Sequence, residues 1–435
     1  MKTLKTWTTD PNGDRLERRK TVFFRKRSQN TDRIVVRKDE RFQSMDGFGF
    51  SLTGGSAYHI MRLPAKKRKA LLKELFSKSG IGVSALRLTI GASDLDMAPY
   101  SYADTPSDDL ANFDLFAGGK EVVPLLQEIL KIAPDIRIFA SPWSAPPWMK
   151  TNNSFVSGRL KNECYSVYAE YFVRYILAMR EQGINVYGVT VQNEPLNDLN
   201  EPSMLMDPSE QIDFVGNHLG PVFRDRKINT KIYCWDHNCD RPDYVLRVLK
   251  DEKAREYVNG SAWHLYGGSI DILDYIHEEH PEHEIIFTEQ WVAKKSDFGG
   301  NLSWHAKNII IGAPRNFAKA VFEWNLANDP ECNPHTEKGC AECLGALTID
   351  ENGEVTRNVA YYLIAHASKF VPLGSHRIGS NVEKGLPNVA YETSGGKLVL
   401  IVFNEEPQLR SFAIQEGEYF AEVSLPAGTL ATYMW

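Results

Sequence analysis

Two short apolar runs in the chain end abruptly in polar residues. Residues 186–191 are rich in valine and lead into Gln-Asn-Glu and a proline, and residues 285–287 lead into Thr-Glu-Gln-Trp. Apolar runs of this length, bounded by polar residues or proline, are typical of buried parallel strands. We therefore expect two buried strands that each deliver one glutamate, Glu194 and Glu289, at their carboxyl ends.

From about Asp46 to Val371 the pattern alternates between strands and amphipathic helices. The predicted strands cover Gly47–Thr53, Ala85–Gly91, Ile136–Trp143, Val186–Glu194, Lys231–Asp236, Ser261–Tyr266, Glu284–Glu289 and Ala320–Leu326. The predicted helices include Lys66–Phe76, Val122–Ile132, Tyr165–Gln182, Ser209–Phe223, Pro242–Leu249, Ile270–His277 and Asn301–Ala313. Eight strands, each followed by a helix or a long loop, predict an α/β fold of the (β/α)8 TIM barrel type. A doubly wound sheet is the alternative, but the glycines near the first strand do not form the phosphate-binding turn of that fold.

The two ends of the chain have the pattern of β structure. Strand patterns occur at residues 21–24 and 34–36, and again after residue 371, where they cover Val389–Tyr391, Lys397–Phe403, Ser411–Ile414, Tyr419–Val423 and Thr429–Met434. Gly, Pro and Asn separate these later strands, as in a β-sandwich. We expect residues 1–45 and 371–435 to build one side β-sandwich domain from both chain ends, and residues 46–370 to form the barrel.

Composition excludes several classes of protein. The chain has 50 Lys and Arg residues against 56 Asp and Glu residues, and it lacks a basic run long enough to indicate nucleic-acid binding. No stretch of about eighteen consecutive apolar residues occurs, so we expect no membrane-spanning helix. Residues 1–19 are polar and lack the apolar segment of a signal peptide, as would also hold for a secreted chain without its leader. The six cysteines do not decide the compartment.

The predicted strand ends carry amides, imidazoles, carboxylates and aromatic rings. They include Thr53, Arg87, Trp143, Asn193, Glu194, Asp236, His237, His264, Tyr266, Glu289, Trp291, Trp324 and Asn325. In a barrel these ends form the active face, where aromatic rings can bind sugar faces and polar groups can bind hydroxyls. Either glutamate alone could be a solvated or capping residue, and Asn193 could be a turn amide or bind a sugar 2-hydroxyl. Two glutamates in this setting are what a two-carboxylate glycosidase needs.

Eight longer stretches resemble the sequence blocks of glycoside hydrolase family 30, which includes glucosylceramidases and endo-β-1,6-glucanases. They are DGFGFSLTGGSA (46–57), YSYADTP (100–106), ASPWSAPPWMKTN (140–152), VTVQNEP (189–195), HLYG (264–267), FTEQW (287–291), EWNLANDP (323–330) and HASKFVPLGS (366–375). The blocks keep the family's order over nearly the whole chain. The resemblance implies a (β/α)8 barrel with a side β-sandwich and retaining hydrolysis of a β-glycoside.

By the same resemblance, Glu194 is the general acid/base and Glu289 is the nucleophile. Retention of configuration requires the two carboxyl groups to lie about 5–5.5 Å apart. The positions that match the family's −1 subsite are Arg87, Trp143, Asn193, His264, Tyr266 and Trp324. Arg87 is expected to favour the ionised form of the nucleophile.

One position departs from the glucosylceramidase pattern. Those enzymes carry an aspartate at the position of Gly54, and this aspartate binds the hydroxyls of the terminal glucose that lie farthest from the cleaved bond. Its absence is expected to open the pocket at the glucose 6-position, where a β-1,6 chain continues. The alternative is a plain turn glycine, with the clamp supplied by another loop.

The loop around residues 334–340 also resembles the endo-β-1,6-glucanase branch. We therefore expect an endo-β-1,6-glucanase, with a glucosylceramidase or broad β-glucosidase as the alternative. A non-catalytic carbohydrate-binding protein is a remote alternative, because such a protein would be expected to lack one of the two glutamates.

A cysteine and histidine pattern in the loop after the eighth strand superficially resembles a zinc site. It has the spacing C-x2-H-x4-C-x2-C at Cys332, His335, Cys340 and Cys343. A disulfide that stiffens the loop, or free thiols, explains it as well, and the family's chemistry needs no metal. We expect no metal, no cofactor and no nucleic-acid partner, a β-glucan or β-glucoside as substrate, and a monomer. The native enzyme is expected to be secreted or bound at the cell surface.

Overall fold

The centre of the protein is a closed barrel of eight parallel strands, seen in a computed structural model that describes residues 2–435. The strands are β1 (Gly47–Leu52), β2 (Ala85–Thr89), β3 (Arg137–Ser141), β4 (Val186–Thr190), β5 (Lys231–Asn238), β6 (Val258–His264), β7 (Glu284–Glu289) and β8 (Ala318–Asn325). Strand β8 pairs in parallel with β1 and closes the barrel. The predicted (β/α)8 fold is confirmed, and each predicted strand overlaps an observed one.

Side chains from alternate strand positions fill the barrel. The buried cluster inside it consists of Ala85, Phe139, Tyr233, Ala262, Ile286, Ala320 and Phe322. Successive side chains of a strand point to opposite faces, so the neighbours of these residues face the surrounding helices. Because the interior is packed with side chains, ligands meet the barrel at the ends of its strands.

Helices follow the barrel strands and cover the outer face of the barrel. The helical segments are Gly54–Arg62, Ala65–Phe76, Val122–Leu130, Pro147–Met149, Asn162–Cys164, Tyr165–Glu181, Pro208–Asp213, Phe214–Leu219, Gly220–Asp225, Pro242–Lys250, Glu252–Tyr257, Ile272–Glu279, Phe298–His305, Ala306–Gly312, Ala313–Arg315 and Val359–Ser368. In the helix Pro242–Lys250, Tyr244 and Val248 are buried while Arg247 and Lys250 are exposed. This spacing is that of an amphipathic helix packed on one side.

Both chain ends contribute to a β-sandwich beside the barrel. Its strands are Thr3–Thr9, Glu17–Arg18, Val22–Phe23, Arg33–Ser44, His376–Ser380, Asn388–Glu392, Leu398–Phe403, Arg410–Glu416, Tyr419–Leu425 and Leu430–Met434. Thr3–Thr9 pairs antiparallel with Leu430–Met434, which joins the first and last of these strands. The long strand Arg33–Ser44 pairs with His376–Ser380 and with Arg410–Glu416. The predicted sandwich built from both chain ends is confirmed.

Within residues 2–435, five very short strands lie outside the barrel and the sandwich. They are Val292–Ala293, Ala327–Asn328, Cys343–Leu344, Leu347–Ile349 and Val355–Arg357. Val292–Ala293 pairs antiparallel with Cys343–Leu344, so the loop after β7 is tied to the loop after β8. Over residues 2–435, no helix is both long and apolar enough to cross a bilayer.

Candidate active site

The carboxyl ends of the barrel strands surround an open cleft of about 540 Å³. Six of the eight predicted site residues line it, namely Trp143, Asn193, Glu194, Tyr266, Glu289 and Trp324. A larger hollow of about 730 Å³ lies on the surface beside Tyr58 and Asp350. The cleft is the candidate active site because both predicted glutamates meet in it, whereas neither lines the larger hollow.

Glu194 and Glu289 approach each other across this cleft. Glu194 follows β4 and Glu289 ends β7, and one carboxylate oxygen of each lies within 4.8 Å of the other. The two residues are 8% and 6% exposed. Retaining glycosidases hold their carboxyl groups about 5–5.5 Å apart, and inverting enzymes hold them about 6.5–9.5 Å apart to admit water. The spacing therefore suits direct attack by one carboxylate on a sugar.

Each oxygen of Glu289 has a hydrogen-bond donor. Arg87 Nη1 donates to Oε2 at 2.6 Å, and Tyr266 Oη donates to Oε1 at 2.9 Å. Arg87 Nη2 also donates to Asn193 Oδ1 at 2.7 Å. The amide oxygen of Asn193 is thus occupied, and within residues 2–435 its amide nitrogen makes no hydrogen bond. Asn193 can therefore offer an N–H donor to a ligand in the cleft.

Asp236, a strand-end residue to which no role was assigned from the sequence, connects the groups beneath the cleft. Its side chain is fully buried. Its hydrogen-bond partners, at 2.6–3.1 Å, are Arg87, Ser141, Thr190, His264 and Thr288. Both carboxylate oxygens are thereby occupied by the protein, and Asp236 is enclosed away from any sugar. It holds Arg87 and His264 in place under the two glutamates.

The backbone around these carboxylates is strained. The φ angles are +71° at Trp235, +76° at Asp236 and +45° at Glu194. The pairing register of β5 with β6 shifts at this point, which makes Asp236 the extra residue of a β-bulge. The Glu194 N–H donates to the Asp236 carbonyl at 2.9 Å, so the two left-handed positions support each other. Such conformations cost free energy in residues other than glycine and concentrate at functional sites.

His264 lies between three carboxylates. Its Nδ1 is 3.2 Å from Glu194 Oε1 and 3.9 Å from Glu289 Oε1, and its Nε2 is 3.1 Å from Asp236 Oδ1. Burial works to lower the pKa of His264, but the charge of Glu289 and the hydrogen bonds of Asp236 and Glu194 raise it to about 9. At neutral pH the ring therefore carries two N–H groups, one for Glu194 and one for Asp236.

The pKa values of the two glutamates shift in opposite directions. Burial works to raise the pKa of Glu194, but the hydrogen bond and charge of His264 hold it at about 2. Burial raises the pKa of Glu289, and the charges of His264 and Arg87 offset only part of this effect. Arg87 thus favours the ionised form of Glu289, as expected, but burial has the larger effect. In the unliganded site, the proton that a general acid at Glu194 would need resides on His264.

Two of the predicted binding residues lie beneath the cleft surface. Arg87 and His264 are 1% and 0% exposed and do not line the cleft. Their contact with a bound sugar would therefore be indirect, through Glu194 and Glu289.

An aromatic wall stands on one side of the cleft. The rings of Trp143 and Trp324 stack with centroids 5.4 Å apart and planes 28° apart, and Arg87 lies 4.8 Å from the Trp143 ring. Large aromatic faces next to hydrogen-bonding groups suit the mixed apolar and polar surface of a pyranose ring.

The loop after β2 supplies two carboxyl groups that were not predicted. Asp94 lines the cleft, and burial together with the charge of Glu289 raises its pKa to about 7. Asp96 fills the space beside Gly54, because a Cβ at Gly54 would lie 1.7 Å from Asp96 Oδ1. The expectation that the absent side chain at Gly54 opens the pocket is therefore wrong at this position. A carboxyl group from another loop occupies that space instead.

The cysteine pattern in the loop after β8 contains a disulfide bond between Cys340 and Cys343. Both bonded cysteines line the cleft, and Cys332 is free and buried. The Cys340 N–H donates to Asp94 Oδ2 at 3.2 Å. The disulfide therefore braces a loop that holds one of the carboxyl groups of the cleft.

Two groups within residues 2–435 have the geometry to surround a cation. Glu194, His264 and Glu289 form one, and His280, Glu282 and His283, which precede β7 at the opposite end of the barrel, form the other. The first group coincides with the paired glutamates, whose spacing already suits acid, base and nucleophile roles without a metal.

Known proteins resemble this chain over most of its length. A family model described as the glycosyl hydrolase family 30 TIM-barrel domain matches residues 45–371, and one described as the family 30 β-sandwich domain matches residues 374–433. An endo-1,6-β-D-glucanase of Neurospora crassa is 35% identical over 349 residues, which cover 77% of this chain and 72% of that protein. Lysosomal acid glucosylceramidase of Mus musculus is 28% identical over 432 residues, which cover 92% of this chain and 83% of that protein.

A solved structure also matches the whole chain. The endo-β-1,6-glucanase BT3312 superimposes with a TM-score of 0.94 at 33% sequence identity, and the match covers 99% of each chain.

Proposed function

The chain belongs to glycoside hydrolase family 30 and is a glycoside hydrolase, and on this premise we propose that it is a retaining endo-β-1,6-glucanase. The observation that carries the proposal is the approach of the Glu194 and Glu289 carboxylate oxygens to within 4.8 Å in the cleft. This distance supports double displacement, in which one carboxylate attacks the sugar directly.

Glu289 is the proposed nucleophile because both its oxygens are held in place. Arg87 and Tyr266 fix the carboxylate, and Arg87 also stabilises its negative charge. In the first step Glu289 attacks the anomeric carbon while Glu194 protonates the glycosidic oxygen. The bond between the anomeric carbon and that oxygen breaks, and a covalent glycosyl-enzyme forms.

Glu194 is the proposed general acid/base because it has a proton source in contact. His264 Nδ1 lies 3.2 Å from Glu194 Oε1, and Asn197 Nδ2 holds the other carboxylate oxygen at 2.6 Å. The proton of His264 passes to Glu194 as the substrate displaces water from the cleft, and then to the leaving oxygen. In the second step Glu194 takes a proton from the water that attacks the anomeric carbon, and the bond between that carbon and Glu289 breaks. The proton then returns from Glu194 to His264.

The choice of β-1,6-glucan rests on what the relatives act on. Three fungal endo-1,6-β-D-glucanases are 33–35% identical to this chain, and a solved endo-β-1,6-glucanase matches 99% of it. The mouse glucosylceramidase is less identical, at 28%, but its match covers 92% of this chain. Glucosylceramide, or a broad range of β-glucosides, is therefore the second candidate substrate.

Product analysis on two substrates tests the choice. The protein is incubated with pustulan, a linear β-1,6-glucan, and with glucosylceramide in detergent, and the products are identified by chromatography and mass spectrometry. Gentio-oligosaccharides from pustulan support the proposal. Glucose released from glucosylceramide alone would favour the second candidate. The Glu289→Gln variant is the matched control, because any product that it forms comes from a contaminant.

We further propose that the enzyme is a monomer that acts outside the cell or at its surface. The Cys340–Cys343 disulfide supports this location, since structural disulfides persist mainly in oxidising compartments. Light scattering on the purified protein and fractionation of the source cells test the two points.

A further inference from the structure

The cleft has two halves that differ in chemistry. The ends of β8, β2 and β3 and the loops that follow them supply Trp324, Asp94 and Trp143, while those of β4, β5 and β6 supply Asn197, His237, Asn238 and Tyr266. The order of strands around the barrel places β4 to β6 across the mouth from β8 to β2. Glu194 follows β4, so it belongs to the half without tryptophan. In this polar half, Asn197 and Tyr266 hold the two glutamates by hydrogen bonds. The side chains of His237 and Asn238 make no hydrogen bond to either glutamate.

The side chain of His237 lines the polar half and makes no hydrogen bond within residues 2–435. Its Nδ1 is enclosed and has no partner. A buried N–H without a partner is rarer than a buried acceptor without one, so the favoured tautomer carries its proton on Nε2. That nitrogen then offers an N–H donor which no protein group uses.

Asn238, the next residue, offers a second free donor. Its Oδ1 accepts a hydrogen bond from the Tyr266 N–H at 3.1 Å, whereas its Nδ2 makes no hydrogen bond within the described chain. A buried or half-buried polar group without a partner costs free energy, and such groups in a cleft are commonly satisfied by a ligand. Two donors that no protein group uses therefore line the same cleft as Glu194.

We propose that His237 and Asn238 bind the sugar on the leaving-group side of the cleaved bond, a pyranose whose hydroxyl oxygens accept their hydrogen bonds. This orientation of the substrate in the cleft rests on the proposed function, in which Glu194 is the acid that protonates the leaving sugar and must therefore lie beside it. Trp143 and Trp324 then flank the sugar that becomes attached to Glu289. Burial lowers the pKa of His237, so the ring is neutral at neutral pH and does not need a carboxylate partner.

The test compares transfer with hydrolysis in the second step. 4-Nitrophenyl β-glucoside forms the glycosyl-enzyme without a sugar leaving group, and gentiobiose at fixed concentration then competes with water for it. The ratio of transfer product to hydrolysed glycosyl-enzyme, which is the nitrophenol released minus the transfer product, reports binding of the acceptor sugar. Both reactions need Glu194 as base, so a change in the strength of that base affects them alike.

We expect His237→Ala to lower this ratio at least about fivefold, and Asn238→Ala to act in the same direction. His280→Ala, at the opposite end of the barrel, is the matched histidine control and should leave the ratio unchanged. An unchanged ratio in His237→Ala would overturn the assignment. Nitrophenol release shows that each variant is folded.

If β-1,6-glucan is not the substrate, the experiments give a result that differs from failure of the His237 assignment. A wild-type enzyme that releases nitrophenol but leaves pustulan intact would refute the β-1,6-glucan proposal. The partition ratio in His237→Ala, measured with glucose as the acceptor, would still decide whether this side of the cleft binds the leaving sugar.

Discussion

The phenol of Tyr266 donates a hydrogen bond of 2.9 Å to Oε1 of Glu289. Tyr266→Phe removes this donor and keeps the ring. We expect kcat on pustulan to fall about 10- to 100-fold, because a hydrogen bond to a charged group contributes about 1.5–3 kcal/mol. Tyr275→Phe, an exposed tyrosine of the helix Ile272–Glu279, is the matched control and should match wild type. Wild-type kcat in Tyr266→Phe would contradict a role for the phenol in holding the nucleophile.

The two glutamates are distinguished by their response to the leaving group. Glu194→Gln removes the acid, so hydrolysis of glucan should fall about 10²- to 10⁴-fold, whereas formation of the glycosyl-enzyme from a dinitrophenyl glucoside should persist because that phenol leaves without a proton. Added azide, which needs no base, should then restore turnover of the aryl glucoside. Glu289→Gln should abolish turnover of both substrates and leave sugar binding measurable by calorimetry. Equal losses of activity on both substrates in Glu194→Gln would contradict the assignment of Glu194 as the general acid.

The pH profile of kcat/KM should report His264 on the alkaline side. As pH rises through about 9, His264 loses the proton that supplies Glu194, and activity should fall. On the acid side, Glu289 must stay ionised to act as the nucleophile. Because burial raises the pKa of Glu289, the fall in activity on acidification should begin at a higher pH than for an ordinary glutamate. Asp236→Asn removes a group that raises the pKa of His264, and the alkaline limb should move to lower pH. An unmoved limb would mean that another group sets it.

The same shift predicts how stability depends on pH. His264 has a higher pKa in the folded protein, about 9, than in an unfolded chain, about 6.5. It therefore contributes stability that is fully present below the unfolded value and is lost as pH rises through the folded value. The free energy of unfolding of the wild type, measured in urea, should therefore fall between about pH 6.5 and pH 9. The fall should be smaller in His264→Gln.

The fold and the two glutamates could be predicted from the sequence because their signals are local. An apolar run that ends in polar residues marks both Glu194 and Glu289, and alternation of strands and helices marks the barrel. Thr3–Thr9 was missed, because it contains only two strongly apolar residues, Leu4 and Trp7. Its partner strand, Leu430–Met434, lies more than four hundred residues further along the chain, so no local sequence pattern indicates the pairing.

The support beneath the site could not be read from the chain. Asp236 is one of several polar residues at the end of β5, and only a β-bulge and donors from other strands select it. The proximity of Asp96 to Gly54 could not be predicted either, because the two residues follow different strands, β2 and β1. The pKa order of Glu194 and Glu289 depends on the charge of His264, which sequence spacing does not place.

The disulfide at the cleft should matter more for substrate binding than for stability. Only two residues separate Cys340 and Cys343, so the bond removes little entropy from the unfolded chain. We expect the double variant C340S/C343S to raise KM for pustulan several-fold, because Cys340 helps to hold Asp94, with little change in the urea midpoint. Reduction by a phosphine should reproduce this effect in wild type and have no effect in the double variant. A large fall in the midpoint with unchanged KM would contradict this.

The covalent intermediate itself gives the most direct measurement. A 2-deoxy-2-fluoro-β-glucosyl fluoride slows release of the sugar from the enzyme, so the glycosyl-enzyme accumulates and can be digested and sequenced by mass spectrometry. The proposed mechanism predicts one label, on Glu289, and none in Glu289→Gln. A label on Glu194 or Asp94, or turnover that proceeds with inversion and no label, would contradict direct attack by Glu289.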